Sequence, residues 1–195
     1  MGFRVHSGWA ALVALAVDRG VPMVLARERV HLVEIFIYKF RQPYHTAGRL
    51  PPEQAAAFVA RMKSEARRLA AGAIRKLEGE LREQGFALSR SGLLLASGRP
   101  LPTLPRILAS HALIHTADGE LFRGALLYAA ARRGLATVAL REREVLAAAS
   151  KALRISPNTL TRRIAALGRP IGPPWSQDEK LASAVAWLAL APGRH

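Results

Sequence analysis

The 195-residue chain contains no cysteine, which removes disulfides, thiolate metal centres, cysteine-ligated iron–sulfur clusters and any cysteine nucleophile together. No apolar run approaches the roughly 18 residues that span a bilayer, so no membrane partner is expected. The start lacks the strongly basic region of a secretory signal, and the apolar stretch Trp9–Val17 runs into Asp18 without a cleavage site. A cytoplasmic location is the expectation. Acidic side chains are scarce, 14 against 29 lysines and arginines. Internal repeats and low-complexity linkers are missing, the first hairpin has no glycine-rich phosphate loop, and no complete catalytic signature names a reaction.

What is present describes a folded chain. Half the residues are apolar and 22% are charged, a balance suited to one globular domain or one domain with a small appendage. The net charge of +15 favours a polyanionic partner, DNA or RNA, although a composition rich in Ala, Arg, Leu, Gly and Pro accounts for part of it. The excess is uneven. Residues 1–120 carry 17 basic and 10 acidic side chains, and residues 121–195 carry 12 and 4. The shorter C-terminal part is therefore nearly twice as dense in positive charge, and a nucleic-acid surface is expected there.

From Phe3 to Val17 the larger apolar residues fall mostly at odd positions, which predicts one long strand. The Asp18-Arg19-Gly20 turn leads to a return strand over Pro22–Val33, with a third strand at Ile35–Phe40. Pro51-Pro52-Glu53 opens a helix whose apolar spacing persists to about Glu83, nearly 50 Å at 1.5 Å per residue. A strand over Gly92–Ser97, a short helix Arg106–Leu113, and a helix Ala117–Arg133 ending at Gly134 follow. Leu135–Leu140 is a short apolar run between helices, as a parallel strand reached by a crossover would be. Helices over Arg141–Leu153, Pro157–Leu167 and Ser176–Leu190 complete the chain, the last opened by a Ser176-to-Glu179 capping box.

Meander, long helix, strand, helix, strand, helices: this order resembles the ribonuclease H-like fold, which also covers actin-like kinases and resolvases. The resemblance implies an α/β protein with a mixed sheet, its core formed by residues 1–140 and the helix 176–190, with 141–172 as a helical insertion or appendage. It further implies, for the nucleases of that fold, an acid in the middle of the first strand, a second near the fourth strand or the following helix, and another on the last helix, together holding two metal ions. Here His6 and Ser7 stand where the first acid is expected, and Glu120 and Asp178 alone remain of such a set.

Two constellations carry candidate chemistry. In Ser110-His-Ala-Leu-Ile-His115-Thr-Ala-Asp-Gly-Glu120, helical spacing puts His111 and His115 on one face with Glu120 within reach of a turn at Thr116. These three form a candidate site for a divalent metal, and His6, His45, His115 and Glu120 form a candidate acid–base cleft. The alternative makes Thr116 a helix cap, with Asp118 and Glu120 answering the helix dipole. The second constellation spans residues 148–168. Ala149, Leu153-x-Ile155, Ser156 as N-cap, Pro157, Leu160, Ile164 and Leu167 resemble the helix-turn-helix of the factor-for-inversion-stimulation and enhancer-binding activator families. That resemblance implies that Asn158, Thr161, Arg162 and Arg163 meet bases and phosphates. Arg154 departs from the pattern, holding a turn position where glycine supplies a positive φ.

The expectation is thus a nucleic-acid-binding protein acting through the basic C-terminal helix pair on a ribonuclease H-like core without its usual acids. The alternatives are an enzyme built on the histidines and Glu120, and a scaffold that dimerises through the helix 52–83.

Overall fold

The computed structural model describes residues 1–96 and 100–191. Among these residues five strands form one sheet in the order β3-β2-β1-β4-β5: β1 (Gly2–His6), β2 (Trp9–Asp18), β3 (Val21–His31), β4 (Arg90–Leu95) and β5 (Ala136–Arg141). The first three form an antiparallel meander, while β4 pairs with β1 in parallel and β5 with β4 in parallel. The helices are α1 (Tyr38–Arg41), α2 (Pro43–Ala47), α3 (Pro52–Glu83), α4 (Leu104–Leu108), α5 (His111–Arg132), α6 (Val145–Leu153), α7 (Pro157–Ala166) and α8 (Gln177–Leu190). Among the described residues no helix is long and apolar enough to cross a membrane.

Each face of the sheet carries a helical layer. Phe3, Val5, Leu12 and Leu93 turn to α3 and α5, where Phe58, Met62, Ile74, Leu77, Phe122 and Leu126 close the first core. Val13, Leu15 and Leu94 turn the other way, to Val145 and Ala149 of α6, Leu160 and Ile164 of α7, and Leu181, Val185 and Trp187 of α8. β2 is buried on both faces, so its sequence is a near-continuous apolar run. The spacing expected of α3 holds from end to end: Ala55, Phe58, Val59, Met62, Ala66, Ala70, Ile74, Leu77 and Leu81 are buried along one stripe.

Several expected elements differ. The single strand Phe3–Val17 is two strands, divided at Ser7-Gly8, where Gly8 takes φ +82° and lets the chain reverse. Ile35–Phe40 is no strand, because β3 is the sheet edge, Ile35 and Ile37 lie exposed beyond it, and α1 begins at Tyr38. The expected helices Arg106–Leu113 and Ala117–Arg133 are redivided. α4 ends at Leu108, and α5 starts at His111 with Ser110 as its N-cap residue, six residues ahead of the expected start. β4 begins at Arg90, and Ser97, its expected end, lies outside the described residues. Leu135–Leu140, expected to pair in parallel with the first strand, forms β5, which is parallel to β1 but pairs with β4, the strand between them.

The approach of α8 to the sheet depends on two glycines. Gly2 and Gly92 are register partners on β1 and β4. A Cβ on Gly92 would lie 2.5 Å from the Val185 carbonyl oxygen, and one on Gly2 would collide with the Ala182 carbonyl oxygen and the Ala186 amide. Gly92→Ala is therefore expected to destabilise the fold by about 1 to 3 kcal/mol through overpacking. Gly79→Ala in α3 is the contrast, since nothing lies within 4 Å of its added methyl. Improved helix propensity should make it more stable, by up to about 1 kcal/mol, and urea denaturation of the two variants reads both signs.

Candidate functional site

Two clusters of polar side chains stand at the end of the sheet where β1, β4 and β5 finish. The first is built on β1. Alternation along the strand turns Phe3 and Val5 into the first core and leaves Arg4 and His6 facing the α8 layer. Arg4 donates from Nε and Nη2 to both oxygens of Glu142, at 2.9 Å each. Its Nη1 donates to Asp178. His6 Nε2 lies 2.8 Å from the same Asp178 oxygen, and its ring stacks on Trp9 with centroids 4.4 Å apart. Glu142 opens the 3₁₀ turn directly after β5, and Asp178 lies in the first turn of α8, so three distant segments meet here.

Burial disfavours the charged form of Asp178, but the hydrogen bonds from His6 and Arg4 outweigh it and hold the carboxyl below its ordinary range. The bidentate Glu142 pairing raises the Arg4 guanidinium further, against the effect of burial. Beside this network a cleft is lined by Leu94, Arg123, Arg141, Arg143 and Gln177. Arg123 donates to the Leu94 carbonyl oxygen at 3.2 Å and to Glu120 at 3.3 Å, and burial pushes its guanidinium down.

With β1 confined to Gly2–His6, its middle residue is Arg4. Where the nucleases of this fold are expected to have an acid, this chain has a guanidinium that already bridges two carboxylates. The residues present do not fit a pair of metal ions. The α8 capping box forms between Ser176 and Glu179 as expected and uses no side-chain atom of Asp178, which leaves the Asp178 carboxylate free to turn to β1.

The second cluster joins α2 to the start of α5. His45 Nδ1 lies 2.5 Å from Asp118 Oδ2, while Asp118 Oδ1 accepts the Tyr44 amide at 2.6 Å. The His45 ring meets His115 at 4.4 Å and His111 at 5.5 Å between centroids, and His111 and His115 approach at 3.0 Å between Nε2 atoms. Asp118 is only 3% exposed, and burial, its largest influence, raises its carboxyl against the opposing contacts from His45 and Tyr44. Burial, with the Asp118 charge, also raises the Tyr44 phenol.

The cluster thus engages Asp118, through His45, rather than Glu120. Because α5 starts at His111, positions 111, 115 and 118 share one stripe while Glu120 turns away to Arg123. The expected Thr116 cap falls away for the same reason, since its hydroxyl donates to the Ala112 carbonyl within the helix. His6 keeps to Asp178 and Trp9, and His45 and His115 meet without it. Asp118, read from the sequence as a helix-dipole partner, is instead the carboxylate of this cluster, and its i, i+3 spacing from His115 was the signal. On α7, Asn158, Thr161, Arg162 and Arg163 are all exposed, and the Thr161 hydroxyl donates to the Pro157 carbonyl at 2.9 Å.

No protein-family model matches the chain, and the curated proteins contain no sequence match. Among solved structures it is similar to RuvC of Thermus thermophilus, with a TM-score of 0.51 over 96% of this chain and 90% of that one at 14% identity. That likeness, with the 3-2-1-4-5 mixed sheet, shows a ribonuclease H-like fold.

The Asp178 network has a pH signature. A carboxyl lowered by folding contributes stability that is present above its unfolded value, about 3.9, and is lost as pH falls through the lower folded value. Asp178→Asn is expected to lose about 1 to 2 kcal/mol at pH 7, with the deficit shrinking as the solution is acidified below the carboxylate range. Urea denaturation across pH checks it. An equal deficit at all pH values would assign Asp178 a packing role instead.

Proposed function

We propose that this protein binds nucleic acid through the α6–α7 helix pair and the groove beside it, and that its strand-end centre does not support two-metal cleavage. One observation carries the reading. A groove of about 1130 Å³ between the C-terminal end of α6, the following turn and the end of α8 is lined, among the described residues, by Arg90, Lys151, Arg154 and Arg163 and by no acidic side chain. All four are exposed, and among the described residues none forms an ion pair. Four uncompensated cations in one groove repel each other, and a phosphate backbone that enters relieves the repulsion while releasing its counterions.

The turn that presents these cations supports the reading. Arg154 lies in the left-handed region at φ 55° and ψ 40°, a conformation that costs a residue with a Cβ roughly 1 to 2 kcal/mol. It is held there by the Ile155 amide donating to the Ser150 carbonyl at 3.2 Å and the Ser150 hydroxyl donating to the Ile155 carbonyl. Ser156 then caps α7, its hydroxyl accepting the Thr159 amide at 3.2 Å. Leu160 and Ile164 are buried in the second core, which turns Asn158, Arg162 and Arg163 outward. In this reading Arg162 and Arg163 contact phosphates, and Asn158 and Thr161 face base edges, with Thr161 doing so as an acceptor while its proton is engaged by Pro157.

Binding should fall with salt, and Arg162→Ala combined with Arg163→Ala should weaken it and lower the log–log salt slope on duplex DNA by about 1.8, roughly 0.9 for each phosphate no longer neutralised. Fluorescence anisotropy with labelled duplex DNA and single-stranded RNA over a salt series measures both quantities and ranks the two ligands. A double variant that titrates like the parent protein, in affinity and in slope, overturns the proposal.

A further inference from the structure

Away from the basic groove, and separate from the Arg4 network, three imidazoles converge at one point of the surface. His45, His111 and His115 each offer a ring nitrogen, and these atoms all lie within 4.8 Å of one another. His111 and His115 come from the first two turns of α5, and His45 from α2, which Tyr44 and Ala47 anchor in the core. We infer that these three histidines form a binding site for one divalent transition-metal ion of the zinc class, with a fourth coordination position open to solvent or to an added ligand.

The spacing suits such an ion. Two imidazole nitrogens at about 2.05 Å from a tetrahedral zinc stand about 3.3 Å apart, and the His111 and His115 Nε2 atoms are already 3.0 Å apart. A few tenths of an ångström of side-chain movement in two exposed residues seats the ion between them. The tautomer of the third ligand is set in advance. Asp118 accepts from His45 Nδ1, so the His45 proton stays on Nδ1 and Nε2 keeps its lone pair for metal. Asp118 is itself held by the Tyr44 amide, which gives the carboxylate–histidine–metal arrangement that orients ligands in zinc proteins.

The donor set selects the ion. Three neutral imidazole nitrogens and no carboxylate among the ligands favour Zn²⁺, Co²⁺, Ni²⁺ or Cu²⁺ over the oxygen-seeking Mg²⁺ and Ca²⁺. His111 and His115 are exposed and His45 is partly so, so an ion reaches the site from solvent without any opening of the fold. Three protein ligands leave tetrahedral zinc one position for water or an exogenous donor.

The test uses the full chain freed of metal with a chelator and titrated with Co²⁺, followed by displacement with Zn²⁺. The expected result is saturation at one equivalent with the visible bands of tetrahedral cobalt, their loss on zinc addition, and a rise in Tm with zinc. His111→Ala with His115→Ala should abolish the one-equivalent transition and the Tm rise, while circular dichroism matches the parent because both side chains are exposed. His6→Ala should leave the binding unchanged. Asp118→Asn, where it folds, should weaken zinc by about 10- to 100-fold. Absence of saturable binding to the parent protein, or unchanged binding in the double histidine variant, overturns the inference.

Discussion

The closeness of α8 to the sheet is the constraint on which most of the molecule rests. Gly2 and Gly92 face each other across the β1–β4 seam, and their missing side chains admit the backbone of α8 at Ala182, Val185 and Ala186. A helix held that low brings its first turn over β1, so Asp178 reaches Arg4 and His6. It also gives α6 and α7 a surface to cover, through Val145, Ala149, Leu160 and Ile164. Raising α8 by the thickness of a methyl group would loosen the Arg4 network and the seat of the helix pair together, because close-packed interiors transmit such shifts.

The sheet changes from antiparallel to parallel pairing at β1, and the carboxyl ends of strands beside such a change are where open α/β sheets form their sites. In this chain that position is occupied by Arg4, bridged to Glu142 and Asp178, and bordered by Arg123 and Arg141. A guanidinium between two carboxylates satisfies the same negative charge that metal ions would otherwise neutralise. Among the described residues, unpaired positive charge collects at the other end of the second helical layer, around Lys151, Arg154 and Arg163.

The histidine cluster belongs to the opposite helical layer. It depends on α2, a single turn of helix pinned between α3 and α5 by Tyr44 and Ala47, and on the early start of α5 at His111. Asp118 links these parts by accepting from both the backbone and the imidazole of α2. A buried carboxylate with two such partners is satisfied without an arginine, and it fixes the direction of the imidazole it holds.

Periodicity and capping decided much of this molecule before any tertiary contact. The stripe of α3 from Ala55 to Leu81, the capping box of Ser176 and Glu179, the Ser156 cap of α7 and the order of strands and helices that marks a ribonuclease H-like fold follow from local spacing, because each signal lies within a few residues of the element it specifies. The concentration of positive charge toward the C-terminus was equally legible. Long-range partnerships were not. Arg4 meets Asp178 and Glu142 from 174 and 138 residues away, and His45 meets Asp118 from 73. Composition ranks neither pairing, since an acid in a first helical turn reads as a dipole partner until the neighbouring strand is in place. The division of β1 from β2 at Gly8 and the start of α5 at His111 were likewise decided by packing, and these two boundaries determine which side chains face one another.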